Sequence, residues 1–201
     1  MVSSRASSTG ATLLLLLFTA APVVEALTEF SADISYFDSG KNQISAGQLF
    51  VSDRAIREER TTSQGKEIII TDLFYGTTYV LNPETGEYHE QDALPVPRNP
   101  AQFCAEMPLL LCGFQREEEL MGIKTERWGA DLGFGELTIG VVAWYDPEIQ
   151  YPIRVEFNEV VQQLSNVRKG RVSSTLFSIP IRYRMVERER VEQGAGFPEW
   201  P

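Results

Sequence analysis

The residues able to do chemistry are few, and their spacing argues for structure rather than turnover. Cys104 and Cys112 form a C-x7-C pair, which lacks the two-residue spacing that lowers a thiol pKa in redox dithiols. On one continuous helix eight residues rise about 12 Å, beyond the ~7 Å Cα limit of a disulfide. A bridge therefore requires the segment to turn back, and Pro108, which has no N–H, sits midway where the helix can break. The chain's one histidine, His89, lies among Tyr88, Glu90 and Gln91, with no serine or cysteine nucleophile in a recognisable motif. It reads as a solvated strand-end residue. Glu117, Glu118 and Glu119 could offer carboxylates to calcium, but the alternating Asp/Asn-Gly loop pattern is missing, so the run reads as an exposed acidic face. With 28 acidic residues, chance carboxylate pairs are inevitable and no spacing singles one out for glycoside chemistry. One histidine and two cysteines cannot close a four-ligand zinc site without carboxylates. The parts describe a protein that is not an enzyme and needs no cofactor and no metal.

What must hold these residues is a single domain. The chain has 201 residues with 43% hydrophobic content, enough to bury a core. Eighteen Lys plus Arg against 28 Asp plus Glu give a formal charge of -10, which repels a phosphate backbone and an anionic lipid surface and argues against nucleic acid as a partner. Arg5 precedes an apolar run from Ala11 to Ala21, too short for the ~20 residues that span a bilayer. The run is followed by Val24-Glu25-Ala26, small residues at the first and third positions. Residues 1–26 therefore read as a secretory signal peptide cleaved between Ala26 and Leu27. No cysteine lies near that point to carry a lipid anchor, so the mature protein is expected to be soluble, periplasmic and without an integral membrane segment. Export to an oxidising compartment makes Cys104–Cys112 a structural staple.

From Leu27 to about Glu90 the pattern is strands joined by short turns. Phe30, Ala32, Ile34 and Tyr36 alternate with polar residues, the period-2 signature of a sheet with one dry face. Further strands are expected at Ile44–Ser52, Ala55–Thr62, Lys66–Phe74, Thr77–Leu81 and Glu87–Glu90, separated by turns such as Asp38–Asn42 and Asn82–Gly86. This is an antiparallel meander. Ala55–Thr62 has Ile56 as its one large apolar residue and is expected to face water broadly. Asn99-Pro100 reads as an N-cap with proline at the first helical position, leading a short helix with Phe103, Met107, Leu110 and Leu111 on one face. After it, Gly133-Phe134-Gly135 predicts a turn before a strand at Leu137–Tyr145. Ile153–Phe157 pairs with that strand, and Val160–Val167 is a further strand by context. The domain spans 27–186, and 187–201 is a polar, Gly- and Pro-bearing tail.

Three stretches carry a family resemblance. Tyr75-Gly76-Thr77-Thr78-Tyr79-Val80-Leu81-Asn82-Pro83 lies in the meander. Trp144-Tyr145-Asp146 leads into Pro152-Ile153-Arg154-Val155-Glu156, and Leu176-Phe177-Ser178-Ile179-Pro180 precedes Tyr183. Over roughly Leu27 to Met185 the chain resembles the periplasmic lipoprotein carrier superfamily, which includes carrier-like proteins and a regulator of envelope stress. The resemblance implies an α+β fold: a strongly curved antiparallel sheet forming an incomplete β-barrel covered by short helices. It implies an apolar cavity for lipid or lipoprotein acyl chains or, in the sensor-like members, a surface for an envelope protein partner. Phe50, Arg57, Tyr79, Phe103, Met107, Leu111, Trp128 and Trp144 are the candidate lining residues, although strand tryptophans are as readily plain core. The strands of Phe30, Phe50, Tyr79 and Trp144 are expected to turn one shared concave surface toward Phe103–Leu111. Arg57 or Arg60 matches the carriers' gating arginine, without the proline that accompanies it there. The Cys104–Cys112 insertion lies outside the carriers' motifs and points to a side branch.

Overall fold

In the computed structural model the described residues are 28–93, 99–106, 111–134 and 137–187, and twelve strands form one open sheet. β1 (Phe30–Phe37), β2 (Gln43–Val51), β3 (Ala55–Thr62), β4 (Gly65–Asp72), β5 (Thr77–Asn82) and β6 (Glu87–Asp92) make the expected meander. Its turns are set by side chains that satisfy backbone donors. Asp38 Oδ1 accepts from the Asn42 N–H at 2.8 Å, and Asn82 Oδ1 from the Glu84 N–H at 2.8 Å. Gly47 marks a close approach between β2 and β3, because a Cβ there would collide with the Glu59 carbonyl and the Arg60 backbone.

The second half opens with α1 (Pro100–Glu106), capped as the sequence requires: Asn99 Oδ1 accepts from the Ala101 N–H at 2.9 Å. β7 (Leu111–Leu120), β8 (Ile123–Phe134), β9 (Leu137–Asp146), β10 (Tyr151–Phe157) and β11 (Val160–Lys169) follow. A 3-10 turn (Ser174–Phe177) and the two-residue β12 (Arg184–Met185) complete the fold. The strand order is β12-β6-β5-β4-β3-β2-β1-β11-β10-β9-β8-β7. All pairs are antiparallel except β12 with β6. β11 returns to pair with β1, which places β1 between the two meanders.

Several expectations need correcting. No layer of short helices covers the sheet among the described residues. Among the described residues helix is confined to α1 and the 3-10 turn, and the fold is β-rich rather than α+β. α1 lies against the edge strand β7, joined to it by the Cys104–Cys112 disulfide with a Cα separation of 5.3 Å. Leu111 is not helical but opens β7, because the chain has already reversed when it reaches Cys112. β8 runs through Gly133 and Phe134, which are strand rather than turn, and Gly135 lies outside the described residues. The chain beyond Tyr183 adds β12 to β6 before 188–201, which lie outside the described residues. The signal segment with Ala26 and Leu27, together with Met107 and Pro108, also lies outside them.

The sheet buries apolar side chains on both faces. Phe30, Ala32, Ile34 and Tyr36 of β1 pack with Leu49 and Val51 of β2, Ile56 of β3, Leu164 of β11, and Ile149, Tyr151 and Ile153 around β10. Each fully buried Ile, Leu or Phe contributes about 1.5–3 kcal/mol, which makes this the main core. On the other face Ile70 and Leu81 lie under Tyr183, with Phe177 and Ile179 packed against them. The Leu176–Pro180 segment thus covers the Ile70–Leu81 face of the first meander.

β3 does not face water broadly. The Arg60 and Glu58 side chains are only 13% and 15% exposed, and they are tolerated because they neutralise one another. Arg60 Nη2 lies 2.7 Å from Glu67, Arg60 Nη1 lies 3.7 Å from Glu58, and the Tyr36 hydroxyl donates to Glu58 at 3.0 Å.

Candidate functional site

Cross-strand register decides which candidates share a face. Phe50 pairs with Arg57, Arg57 with Ile70, and Ile70 with Tyr79, so Phe50, Arg57 and Tyr79 form one row across β2, β3, β4 and β5. Phe30 pairs with Val51, one step from Phe50, and therefore lies on the opposite face. The expected single surface shared by Phe30 and Phe50 does not form. The Phe50 row is partly roofed: Arg57 Nη1 donates to the Leu176 carbonyl at 2.7 Å, and Arg57 Nε lies 2.7 Å from Glu59. A cleft of about 260 Å3 remains beside it, lined by Ile70, Tyr79, Phe177, Asp72 and Arg54.

The two gating candidates separate cleanly. Arg57 sits in the row under the 3-10 turn, whereas Arg60 lies on the opposite face with Glu58 and Glu67. Burial pushes the Glu58 carboxyl above its usual range, with Arg60 opposing it. Burial, and then the neighbouring Glu58 charge, push the Tyr36 hydroxyl well up. Burial likewise raises the Tyr151 hydroxyl.

Trp128 and Trp144 also part. Trp128 pairs with Ala143 and Trp144 with Arg127, so consecutive register positions send the two indoles to opposite faces. Trp128 meets Phe114 edge to face at 5.7 Å and donates to Glu126 at 3.0 Å. Trp144 is buried between two guanidinium groups, Arg127 at 5.2 Å and Arg154 at 5.4 Å from its ring, and its Nε1 donates to Glu118. That hydrogen bond, then the one from Arg116, hold the Glu118 carboxyl below its usual range.

Leu111 is 80% exposed at the start of β7 and Phe103 is half-buried on α1. They lie at the end of the sheet away from the Phe50 row. Four strand spacings of ~4.8 Å separate β2 from β9, about 19 Å along the sheet. The candidates thus fall into two groups, and α1 is no lid over the first. A second depression of about 280 Å3 lies at the Leu111 end, lined by Leu111, Gly113, Phe114, Gln115, Gly129 and Val142 among others. Sequence reading did not single out Gln115, which lines that depression, or Arg116, Arg127 and Arg154 on the adjoining Trp144 row, as site residues. Their one signal is that guanidinium groups recur on successive strands beside a tryptophan. Among the described residues no cluster of three or more His, Cys, Asp or Glu is suited to a metal, and no helix is long and apolar enough to cross a membrane.

This architecture is similar to solved structures. An uncharacterised conserved protein from Thermus thermophilus superposes with a TM-score of 0.55 at 10% identity, over 80% of this chain and 91% of that one. MucB superposes with a TM-score of 0.50 at 12% identity, over 77% of this chain and 58% of its own. The fold is the one MucB contains. This chain spans little more than half of MucB's length, and MucB from Pseudomonas aeruginosa has also been solved together with MucA, again with a TM-score of 0.50, at 14% identity. At these identities the likenesses show a shared fold and nothing finer. No protein-family profile matches the chain, and no curated protein sequence does.

Proposed function

We propose that this chain is an exported, non-enzymatic protein of the cell envelope that binds a lipid-like ligand, one acyl chain at a time, on its open sheet. The observation that carries the reading is a depression left open at the edge of the sheet, where Leu111, Val141 and Val142 stand beside the polar Gln115 and Asp131. Leu111 stands 80% exposed at the mouth of the trough on β7–β9, where an ordinary strand would turn such a side chain inward, while Phe114, 52% exposed, lies on the opposite face with Trp128. A cavity near 280 Å3 falls just below the ~300–1,000 Å3 of small-molecule sites. It suits a single chain rather than a bulky lipid. Each buried CH2 would contribute about 0.8 kcal/mol.

The test is titration with an environment-sensitive apolar dye, together with native mass spectrometry of protein purified from its own host. Binding that falls in Leu111→Asp while the melting temperature holds supports the reading, since a charge is expelled from an apolar site and an exposed leucine contributes little to stability. A dye-silent wild type carrying no co-purified lipid refutes it. A second reading, a sensor that acts through a protein partner on the same sheet, draws on the likeness to MucB, a protein solved in complex with MucA. It predicts an empty protein that captures an envelope partner.

A further inference from the structure

The trough on β7–β9 has a chemical polarity that the carrier reading does not use. Its floor is glycine: Gly113 pairs with Gly129, and Gly129 with Val142, while one position along the same face Leu111 pairs with Asp131 and Asp131 with Gly140. A Cβ at Gly113 would meet nothing within 4 Å, so the missing side chain leaves open space rather than permitting a tight contact. Where the trough meets the middle of the sheet, Arg116 pairs with Arg127, and Arg127 with Trp144, whose ring is flanked on its other side by Arg154. Like charges directly opposite on neighbouring strands are destabilising unless something offsets them. On this face Arg116 is paired with Glu118 at 2.7 Å and Arg154 with Glu156 at 2.6 Å. Arg127 is left with Glu118 at 3.9 Å, and its Nε is buried without a hydrogen-bond partner. The alternate register positions, Glu117 with Glu126, fall on the opposite face with Trp128.

A β-bulge completes the site. The register shifts between Phe114 and Arg116, leaving Gln115 as the extra residue. Bulges re-aim a side chain, and here the Gln115 amide lies over Gly129 while its Oε1 accepts from Arg127 Nη1. A neutral amide oxygen therefore occupies the place on Arg127 that an anionic oxygen would fill with a stronger, charge-assisted bond. Gln115 is exposed, so a ligand can displace its amide from Arg127 without disturbing buried packing.

We infer that this trough binds a single-chain anionic amphiphile, with its chain over Gly113, Gly129 and Val142, short of the Asp131 carboxylate, and its headgroup on Arg127 and Arg116 in place of Gln115. This rests on the carrier reading and names its ligand class and site. The overall charge of -10 works against anionic surfaces at long range. That repulsion is screened beyond roughly 10 Å, so at contact the local guanidinium groups decide.

The test is Trp fluorescence or calorimetric titration with monomeric dodecyl phosphate, dodecyl maltoside and inorganic phosphate. Dodecyl phosphate should bind about ten-fold or more tighter than the maltoside, the yield of one charge-assisted hydrogen bond, and phosphate alone should not bind. Arg127→Gln should erase the preference, and Gln115→Ala, a surface change that does not threaten folding, should enlarge it. Gly113→Val should abolish binding of both amphiphiles with melting unimpaired, because its side chain enters empty space. Equal affinity for both headgroups, or a preference that Gln115→Ala leaves unchanged, overturns the headgroup assignment. Binding untouched by Gly113→Val places the chain elsewhere and overturns this site while the carrier reading survives. Failure of every amphiphile to bind overturns both.

Discussion

Replacing Arg60 by methionine should cost about 3 kcal/mol at pH 7, and progressively less as the solution is acidified. Arg60 is the cation between two carboxylates, 2.7 Å from Glu67 and 3.7 Å from Glu58. Removing one member of a buried ion pair leaves the other uncompensated, typically at a cost of ~3–5 kcal/mol. The lower end applies because the Glu67 side chain is a third exposed and water takes over part of its solvation, whereas Glu58 is 15% exposed. The pH dependence follows from Glu58. Burial already holds its carboxyl above the usual range and Arg60 pulls it down, so without Arg60 it rises further. A carboxyl whose folded pKa exceeds its unfolded value adds stability that is complete below the unfolded value and lost as pH rises through the folded one. The variant's deficit must therefore shrink between pH 7 and pH 5, as Glu58 takes up its proton. For a chain of this size each kcal/mol moves Tm by about 2–4 °C, so the deficit at pH 7 reads as roughly 6–12 °C. Thermal and urea melts of wild type, Arg60→Met and the double variant Glu58→Gln/Arg60→Met measure it, and the double variant should recover more than half of the loss. A deficit under about 1 kcal/mol, or one identical at both pH values, would show that the cluster is not electrostatically coupled as argued.

Gly47→Ala should destabilise by about 1–3 kcal/mol, since its methyl group must displace the Glu59 and Arg60 backbone rather than a flexible side chain; denaturant midpoints decide it. Cys104→Ala should lose roughly 2–3 kcal/mol, the loop-closure value for about nine residues. Faster hydrogen exchange should be confined to α1 and the start of β7, and a uniform rise across β1–β5 would contradict the local staple. Arg57→Met should cost about 2 kcal/mol by stranding the Leu176 carbonyl, with exchange rising in 174–177 more than in β3.

The first meander was legible because alternation and turn chemistry agreed in it. β1 alternates without a break, and the side chains that set its turns, Asp38 and Asn82, are the ones turn rules reward. The β7–β8 hairpin was not legible. Its tight turn places Met121 and Gly122 at φ of 53° and 79°, and methionine is not a residue that advertises a left-handed position. Without that signal Leu111 fell into the helical spacing begun by Phe103. The burial of β3 was equally silent, because Arg60 is offset by Glu67 on β4 and Glu58 by Tyr36 on β1. Those partners are neighbours only once the register is known.

Residue types betrayed the candidate site, but its geometry stayed hidden, and the cause is parity. Side chains in a strand have period 2, so each candidate's face depends on the count from the nearest bulge or turn. Phe50, Arg57 and Tyr79 share a row because the registers of β2 through β5 are regular between them. Phe30 and Phe50, by contrast, lie on opposite faces although both are aromatics on adjacent strands. Trp144 stands out in the sequence only as an aromatic able to line a cavity. What distinguishes it is the pair of arginines over its ring, which come from strands on either side of β9. The extra residue at Gln115 brings Arg116 opposite Arg127, where an unbroken count along β7 from Phe114 and Trp128 would have placed Gln115. One inserted residue therefore determines whether the end of the sheet presents a row of guanidinium groups or an uncharged amide beside Arg127. The row of guanidinium groups beside the Gly113–Gly129 trough is thus a property of register, and substitutions that move the bulge should alter headgroup preference before they alter stability.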